Sequence, residues 1–375
     1  MFIKSIISLV FAPLVFISQF FNSKPELIYT APEIEKPVIE EVIDDKKSVV
    51  IEEVKNQNVL VKTTEIATTT KKVIQNKVKE ETPRDPIVTA EPEQPADFAK
   101  INTEARKTTI NIFCTTKYGD LSPISGTGVV INENGLILTN AHIAQYFLLK
   151  DYREKDYLKC VGRTGSPAYP KYNLELVYIS PDWVAENKGI LKKQNPTGTG
   201  ENDYAFLRVT NMIDGSDTSK FIYISPNTRE LINVSEPVLL ASYPAGFLGG
   251  ISIIQDLNIT SAVTNIQDIY TFKDGTIDII SVGGTVVSQK GSSGGLVVDK
   301  NTSLIGIITT SSDGNTTSSR GLNAITLSYI NRSLQREISM DMRNFLELDH
   351  KNFAENFKNN LGKDLSKLII DELNK

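Results

Sequence analysis

The sequence predicts an all-β domain of about 240 residues followed by short helices, a length sufficient to bury a substantial core. Three features carry that expectation. Between Asn102 and residue 330 or so, Val, Ile and Thr dominate the apolar runs, as in Ile277-Asp-Ile-Ile-Ser-Val-Gly-Gly-Thr-Val-Val287, and β-branched residues suit strands. Gly126 to Asn140 reads as two strands joined by an Asn134-Gly135 turn, a strong hairpin signal. Apolar spacing lengthens to four residues only after 330, where a helical period begins.

The N-terminus differs in kind. Met1-Phe2-Ile3-Lys4 followed by an apolar stretch to Phe21 has the charged start and apolar core of an export signal. No small-x-small cleavage site stands near Phe20 to Ser23, so residues 1–23 read as an uncleaved signal anchor, forming a hydrophobic helix, with a cleaved signal peptide as the alternative. Residues 24–100 hold 16 acidic and 12 basic side chains and seven of the chain's 16 prolines, with Tyr29 and Phe98 as their only aromatics. Such a segment buries too little apolar surface to offset the entropy of ordering, which makes it a disordered acidic linker. As a coil it would span roughly 50 Å, a stalk between membrane and domain. Residues 101–330 form the domain and 331–375 the helical segment.

Three short motifs carry chemistry. Gly291-Ser292-Ser293-Gly294-Gly295 supplies a hydroxyl in a loop free of bulky side chains; Thr139-Asn140-Ala141-His142 supplies an imidazole just past the predicted hairpin; Asn202-Asp203-Tyr204 supplies a carboxylate at the mouth of a predicted strand. A serine hydroxyl becomes nucleophilic when an imidazole takes its proton and a carboxylate holds that imidazole's tautomer. Of the two histidines only His142 lies within the body of the domain, since His350 falls in a polar stretch that reads as helix. An aspartate at a strand mouth is costly to bury unless paired, and His142 is the partner for Asp203; Asp182 is the substitute candidate. The backbone N–H groups of Gly291 and Ser293 would hold an oxyanion.

Together with Ser125-Gly126-Thr127-Gly128-Val129-Val130 and Leu304-Ile305-Gly306-Ile307-Ile308, these motifs resemble, in order, those of the trypsin-like, chymotrypsin-fold serine proteases, and most closely the bacterial Deg-type branch. The resemblance covers residues 105 to about 335. It implies two six-stranded antiparallel β-barrels with the triad between them, His142 and Asp203 from the first and Ser293 from the second, and an enzyme of the bacterial envelope acting on proteins or peptides in processing or quality control. The PDZ module of that branch has no counterpart in the residues after the protease segment.

Departures from the family pattern shape finer expectations. Ser292 stands where Asn or Asp is usual, and Leu296 where proline is usual. Six residues before the nucleophile, where trypsin has an Asp, stands Val287, so the resemblance implies an apolar substrate pocket, assigned to Val287, Lys290, Ile307 and Ile308, and cleavage after small or medium aliphatic residues. The helical segment is expected to pack on the second barrel, or else to offer a docking surface, with Gly362 breaking it before a last helix over 363–373. Ser180 to Asn202 reads as a surface insertion. Cys114 and Cys160, in first-barrel strands, either pair or remain buried thiols; an extracytoplasmic location permits a disulfide.

Other classes are excluded by what the sequence lacks. Two distant histidines and two strand cysteines make no zinc spacing, Gly126-Thr127-Gly128 lacks the Lys of a phosphate loop, and a net charge of −5 without a basic stripe argues against nucleic acid. No cofactor is expected. A protease fold can also persist as a silent or latent binding module, and the same triad could serve an esterase. The complete set of His142, Asp203 and Ser293 favours the peptidase.

Overall fold

The computed structural model describes residues 96–119, 121–193, 198–216, 220–272, 275–311 and 320–375, with only the backbone of residues 310 and 311. The expected anchor or signal peptide and nearly all of the expected linker lie outside the described residues. Helix α1, Phe98–Lys107, straddles the expected linker boundary; the Asp97 carboxylate caps it by accepting from Lys100 N at 3.0 Å, and Arg106 and Lys107 close its last turn, favourable charges for a helix C-terminus.

The first barrel is a closed ring. It contains β1 (Thr109–Thr116), β2 (Ile124–Val130), β3 (Leu136–Thr139), β4 (Leu158–Thr164), β5 (Tyr169–Ile179) and β6 (Ala205–Met212), in the order β1-β2-β3-β6-β5-β4, with β4 pairing back to β1. β2 and β3 form the expected hairpin. Its turn holds because Asn132 Oδ1 accepts from the N–H groups of Asn134 and Leu136, and Gly135 takes a φ of +77°, open to glycine at little cost. α2 (Ala141–Leu148) follows β3 directly, while α3 (Pro181–Asn187) and a single 3-10 turn lie between β5 and β6. Ser180 to Asn202 is therefore more than a surface insertion, since Trp183 and Val184 of α3 are buried.

The second sheet carries β7 (Pro237–Ser242), a short helix α4 (Gly250–Gln255), β8 (Thr260–Asn265), β9 (Asp268–Tyr270), β10 (Ile279–Ser281), β11 (Leu296–Val298), β12 (Leu304–Ser311) and β13 (Leu322–Thr326). Its order is β8-β7-β11-β12-β13-β10-β9. β8 and β9 are two halves of one bent strand, because Ile266 N still donates to Glu236 O beside β7 whereas Gln267 N already donates to Ser281 O of β10. The chain thus curls the sheet into a barrel without an edge-to-edge ladder, and six strands become seven ladder segments. Within the β-branched run of 277–287 only the three residues of β10 pair as a strand, and Gly283, at φ +68°, follows two residues beyond its end.

Four helices complete the chain: α5 (Leu327–Ile338), α6 (Met342–Leu346), α7 (His350–Asn359) and α8 (Leu361–Leu373). Packing corrects the expectation for them. α5 lies along β12 and β13 of the second sheet, but α7 packs on β5 and α8 against α2 and α3. The cause is aromatic: Phe345 sits 4.5 Å from the Phe206 ring centroid and Phe357 5.7 Å from that of Tyr178, so the apolar stripe of these helices finds its partners on the first barrel. Gly362 breaks nothing. The break falls at Asn360 (φ −112°, ψ −104°), and Gly362 lies in the first turn of α8, where a Cβ would stand 3.0 Å from Phe357 O. No helix among the described residues is long and apolar enough to cross a membrane.

Candidate active site

His142 occupies the first turn of α2, where the chain leaves β3 through Asn140 in an extended conformation. Asn140 uses its side chain elsewhere, donating from Nδ2 to Asp203 O at 2.9 Å, and so ties the start of α2 to the turn before β6. That tie brings carboxylate and imidazole together. Asp203 Oδ2 lies 2.8 Å from His142 Nδ1, and Asp203 Oδ1 accepts from His142 N at 3.0 Å. Thr309 Oγ1, arriving from β12, donates to Asp203 Oδ2 at 2.7 Å. The Asp203 side chain is 4% exposed and that of His142 25%, so the carboxylate is enclosed while the imidazole keeps a solvent edge. Burial works against the charge on Asp203, but the His142 ring, the two His142 hydrogen bonds and the Thr309 hydroxyl outweigh it and hold the carboxyl below its usual range. Asp182, the substitute candidate, is exposed on α3.

Ser293 is placed by main chain. Thr127 N of β2 donates to Ser293 O at 2.8 Å, and Gly294 N donates to Ile308 O at 2.8 Å, one residue before Thr309. Thr127 Oγ1 also donates to Gly291 O at 2.8 Å. The serine loop is thereby stitched to both sheets, between the strand pair that leads to His142 and the strand that holds Asp203. Gly294, at φ +81°, makes this possible: a Cβ there would stand 1.9 Å from Thr127 O. Gly291 has φ +92° and similarly closes on Tyr243 O. Within the loop, Ser292 N donates to Gln289 O and Gly295 N to Ser292 O, whereas the N–H groups of Gly291 and Ser293 have no acceptor among the described residues. Two free donors flank a partly exposed hydroxyl, an arrangement able to receive a developing negative oxygen.

Ser292, where the family pattern has Asn or Asp, turns inward and is buried. Its hydroxyl donates to Val287 O at 2.5 Å and accepts from Ser242 Oγ at 3.0 Å, so a pair of hydroxyls closes the loop from inside. The four residues expected to line a substrate pocket do not converge. Val287 and Ile308 belong to the core of the second sheet, Ile307 to the core shared with the first barrel, and Lys290 is exposed. Val287 is drawn inward because it lies in the loop after β10, where an apolar side chain reaches the barrel interior.

Cys114 and Cys160 face each other across β1 and β4, with Cα atoms 4.0 Å apart and their sulfurs bonded. His350 is buried rather than part of a polar surface, its Nε2 lying 2.9 Å from Phe345 O. Among the described residues no group of three or more His, Cys, Asp or Glu side chains could hold a metal ion.

A pair of antiparallel barrels with a histidine, a carboxylate and a serine loop where they meet defines the architecture of the chymotrypsin-like serine peptidases. Residues 126–307 match the family model of the trypsin-like peptidase domain. The chain matches no curated protein. That match supports serine-protease-type function on protein or peptide substrates.

The residues that sequence reasoning gave no role are the ones that do the fixing: Thr309, Asn140, Thr127 and Ser242. Thr309 is the first hydroxyl of β12 after the apolar run Leu304 to Ile308, a readable signal, since a buried hydroxyl needs a partner. Thr127 and Ser242 carry no such mark, because their partners lie in distant segments.

Proposed function

We propose that the protein is a serine endopeptidase working through His142, Asp203 and Ser293 and an acyl-enzyme. The observation that carries this reading is the enclosed Asp203 carboxylate bonded to both the backbone and Nδ1 of His142, beside a serine loop with two N–H donors that have no acceptor among the described residues. With Nδ1–H committed to Asp203, Nε2 is the free basic nitrogen. It takes the proton of Ser293 Oγ as the oxygen attacks the peptide carbonyl; the N–H groups of Gly291 and Ser293 hold the oxyanion; the C–N bond then breaks and the amine leaves with the proton from His142. Water, deprotonated by the same imidazole, attacks the ester and releases the acid and Ser293.

The enzyme acts outside the cytoplasm, held to the membrane by residues 1–23 through the stalk of 24–100, in protein processing or quality control. The apolar N-terminus and the Cys114–Cys160 disulfide support that location, because disulfides persist in oxidising compartments. One experiment tests both statements: intact cells and purified full-length chain are treated with a membrane-impermeant fluorophosphonate, with Ser293→Ala as control. Labelling of wild type alone, in both samples, is the expected result. Folded purified protein that stays unlabelled would sink the peptidase reading, and labelling of the purified protein without labelling of intact cells would sink the location.

A further inference from the structure

Asp203 lies in a tight turn whose two flanking residues are both gripped by one helix of the second half of the chain. Asp203 N donates to Gly200 O at 3.2 Å and Tyr204 N to Asn202 O at 2.8 Å, with Asn202 in the left-handed region at φ +55°. Asn202 Oδ1 receives Tyr329 OH at 2.7 Å, Arg336 Nη2 at 3.0 Å and Ser333 Oγ at 3.1 Å, all from α5. On the other side of Asp203, the Tyr204 hydroxyl lies 3.0 Å from Ser333 Oγ and 3.1 Å from Glu337 Oε2, again on α5. Glu337 is itself enclosed, its side chain 5% exposed, and takes further bonds from Tyr178 OH and from Ser180 Oγ, with Arg336 3.8 Å away. Burial pushes the Tyr178 and Tyr204 phenols well above their usual range, so both stay protonated and able to donate to that carboxylate.

None of these α5 side chains touches His142, Ser293 or the Asp203 carboxylate in any recorded hydrogen bond among the described residues. They hold the side chains of the two residues that flank Asp203. A side chain with two rotatable bonds inherits its position from its Cα, and holding both neighbours fixes that Cα. Asn202 is suited to its place twice over: it tolerates positive φ better than most residues, and its single amide oxygen takes three donors.

We propose that α5 is a clamp that positions Asp203, and through it the His142 ring, with Asn202, Tyr204, Ser333, Arg336 and Glu337 as positioning residues. The inference rests on the peptidase reading for its catalytic consequence, but its structural content can be read separately. Two mild variants test it: Tyr204→Phe removes one hydroxyl, and Asn202→Gly removes the anchor while keeping the left-handed backbone accessible. In full-length protein, each should slow fluorophosphonate labelling by up to about 100-fold, the scale expected when catalytic geometry is displaced by roughly 1 Å. Each should also shift the NMR resonance of the His142 Nδ1–H proton shared with Asp203, a signal that a loss of overall stability alone would not move in the folded fraction. Wild-type labelling rates, or an unmoved His142 resonance in both variants, would overturn the clamp. If wild type is folded but unlabelled, the peptidase reading fails while the resonance still decides whether α5 positions the pair.

Discussion

The two halves of the site are fixed by different means. In the first barrel, His142 and Asp203 are held by side chains: an imidazole on a carboxylate, an amide on a carbonyl, a threonine hydroxyl arriving from across the cleft. In the second, Ser293 itself is held by main-chain bonds to Thr127 and Ile308 and by glycines where no Cβ fits, with the Thr127 and Ser292 hydroxyls closing the rest of the loop. A side-chain lattice tolerates isosteric replacement structurally but loses its chemistry. A main-chain lattice is indifferent to the chemistry of its residues and intolerant of their bulk. Substitutions in the two halves should therefore fail in different ways.

The sharpest break is Gly294→Ala. The new methyl would meet Thr127 O at 1.9 Å and Thr139 Oγ1 at 2.6 Å, at a φ of +81° that alanine resists, so the stitch between the sheets must open. Fluorophosphonate labelling should vanish and the melting temperature should drop together. A variant that labels and melts as wild type would show that the loop is not held by its backbone.

Asp203→Asn should do the reverse. The side chain keeps its shape, but an amide N–H in place of a carboxylate oxygen can favour the wrong imidazole tautomer, a change that costs about 10⁴-fold in a triad of this kind, with little change in melting temperature. Thr309→Val is a graded version. It removes one of three donors to a buried carboxylate, a loss of about 1–3 kcal/mol; labelling should slow by roughly ten- to a hundredfold if that loss appears in the transition state. Equal loss of labelling and stability in both variants would erase the distinction between the halves.

The contrast also explains what the sequence made legible. His142, Asp203 and Ser293 stand out because their chemistry demands particular side chains in short motifs, and Gly291, Gly294 and Gly295 because backbone geometry demands glycine. The β2–β3 hairpin was equally plain in Asn134-Gly135. The pocket residues were not, since whether Val287 points inward or toward a cleft depends on where β10 ends, and that is set by contacts with β13 and β9. The helices α6 to α8 showed their apolar spacing clearly, yet spacing names a face and not its partner. Only the rings of Tyr178 and Phe206, far away in sequence, decide that the first barrel receives them.

The smallest expected effect tests the helical cover of that barrel. His350 opens α7, buried against Phe345, with Asp349 and Arg208 as the charged groups that bear on it. Burial pulls its pKa down, joined by Arg208, and the bond to Phe345 O and the Asp349 carboxylate oppose this without restoring the ordinary value of 6.5. The unfolded chain therefore takes up a proton at a higher pH than the folded one. Below the unfolded value the unfolded state binds more protons, so stability rises with pH across that interval. The contribution of a neutral His350 is complete above about pH 6.5 and is lost as pH falls through the lower, folded value. For Asp203, also lowered, the corresponding loss begins only below the ordinary carboxyl value of 3.8, so the two windows separate. Between pH 8 and pH 5 the melting temperature of wild type should fall more steeply than that of His350→Gln, which keeps a donor for Phe345 O and does not titrate. Parallel curves would mean that the packing of α7 on the first barrel does not depend on an uncharged His350.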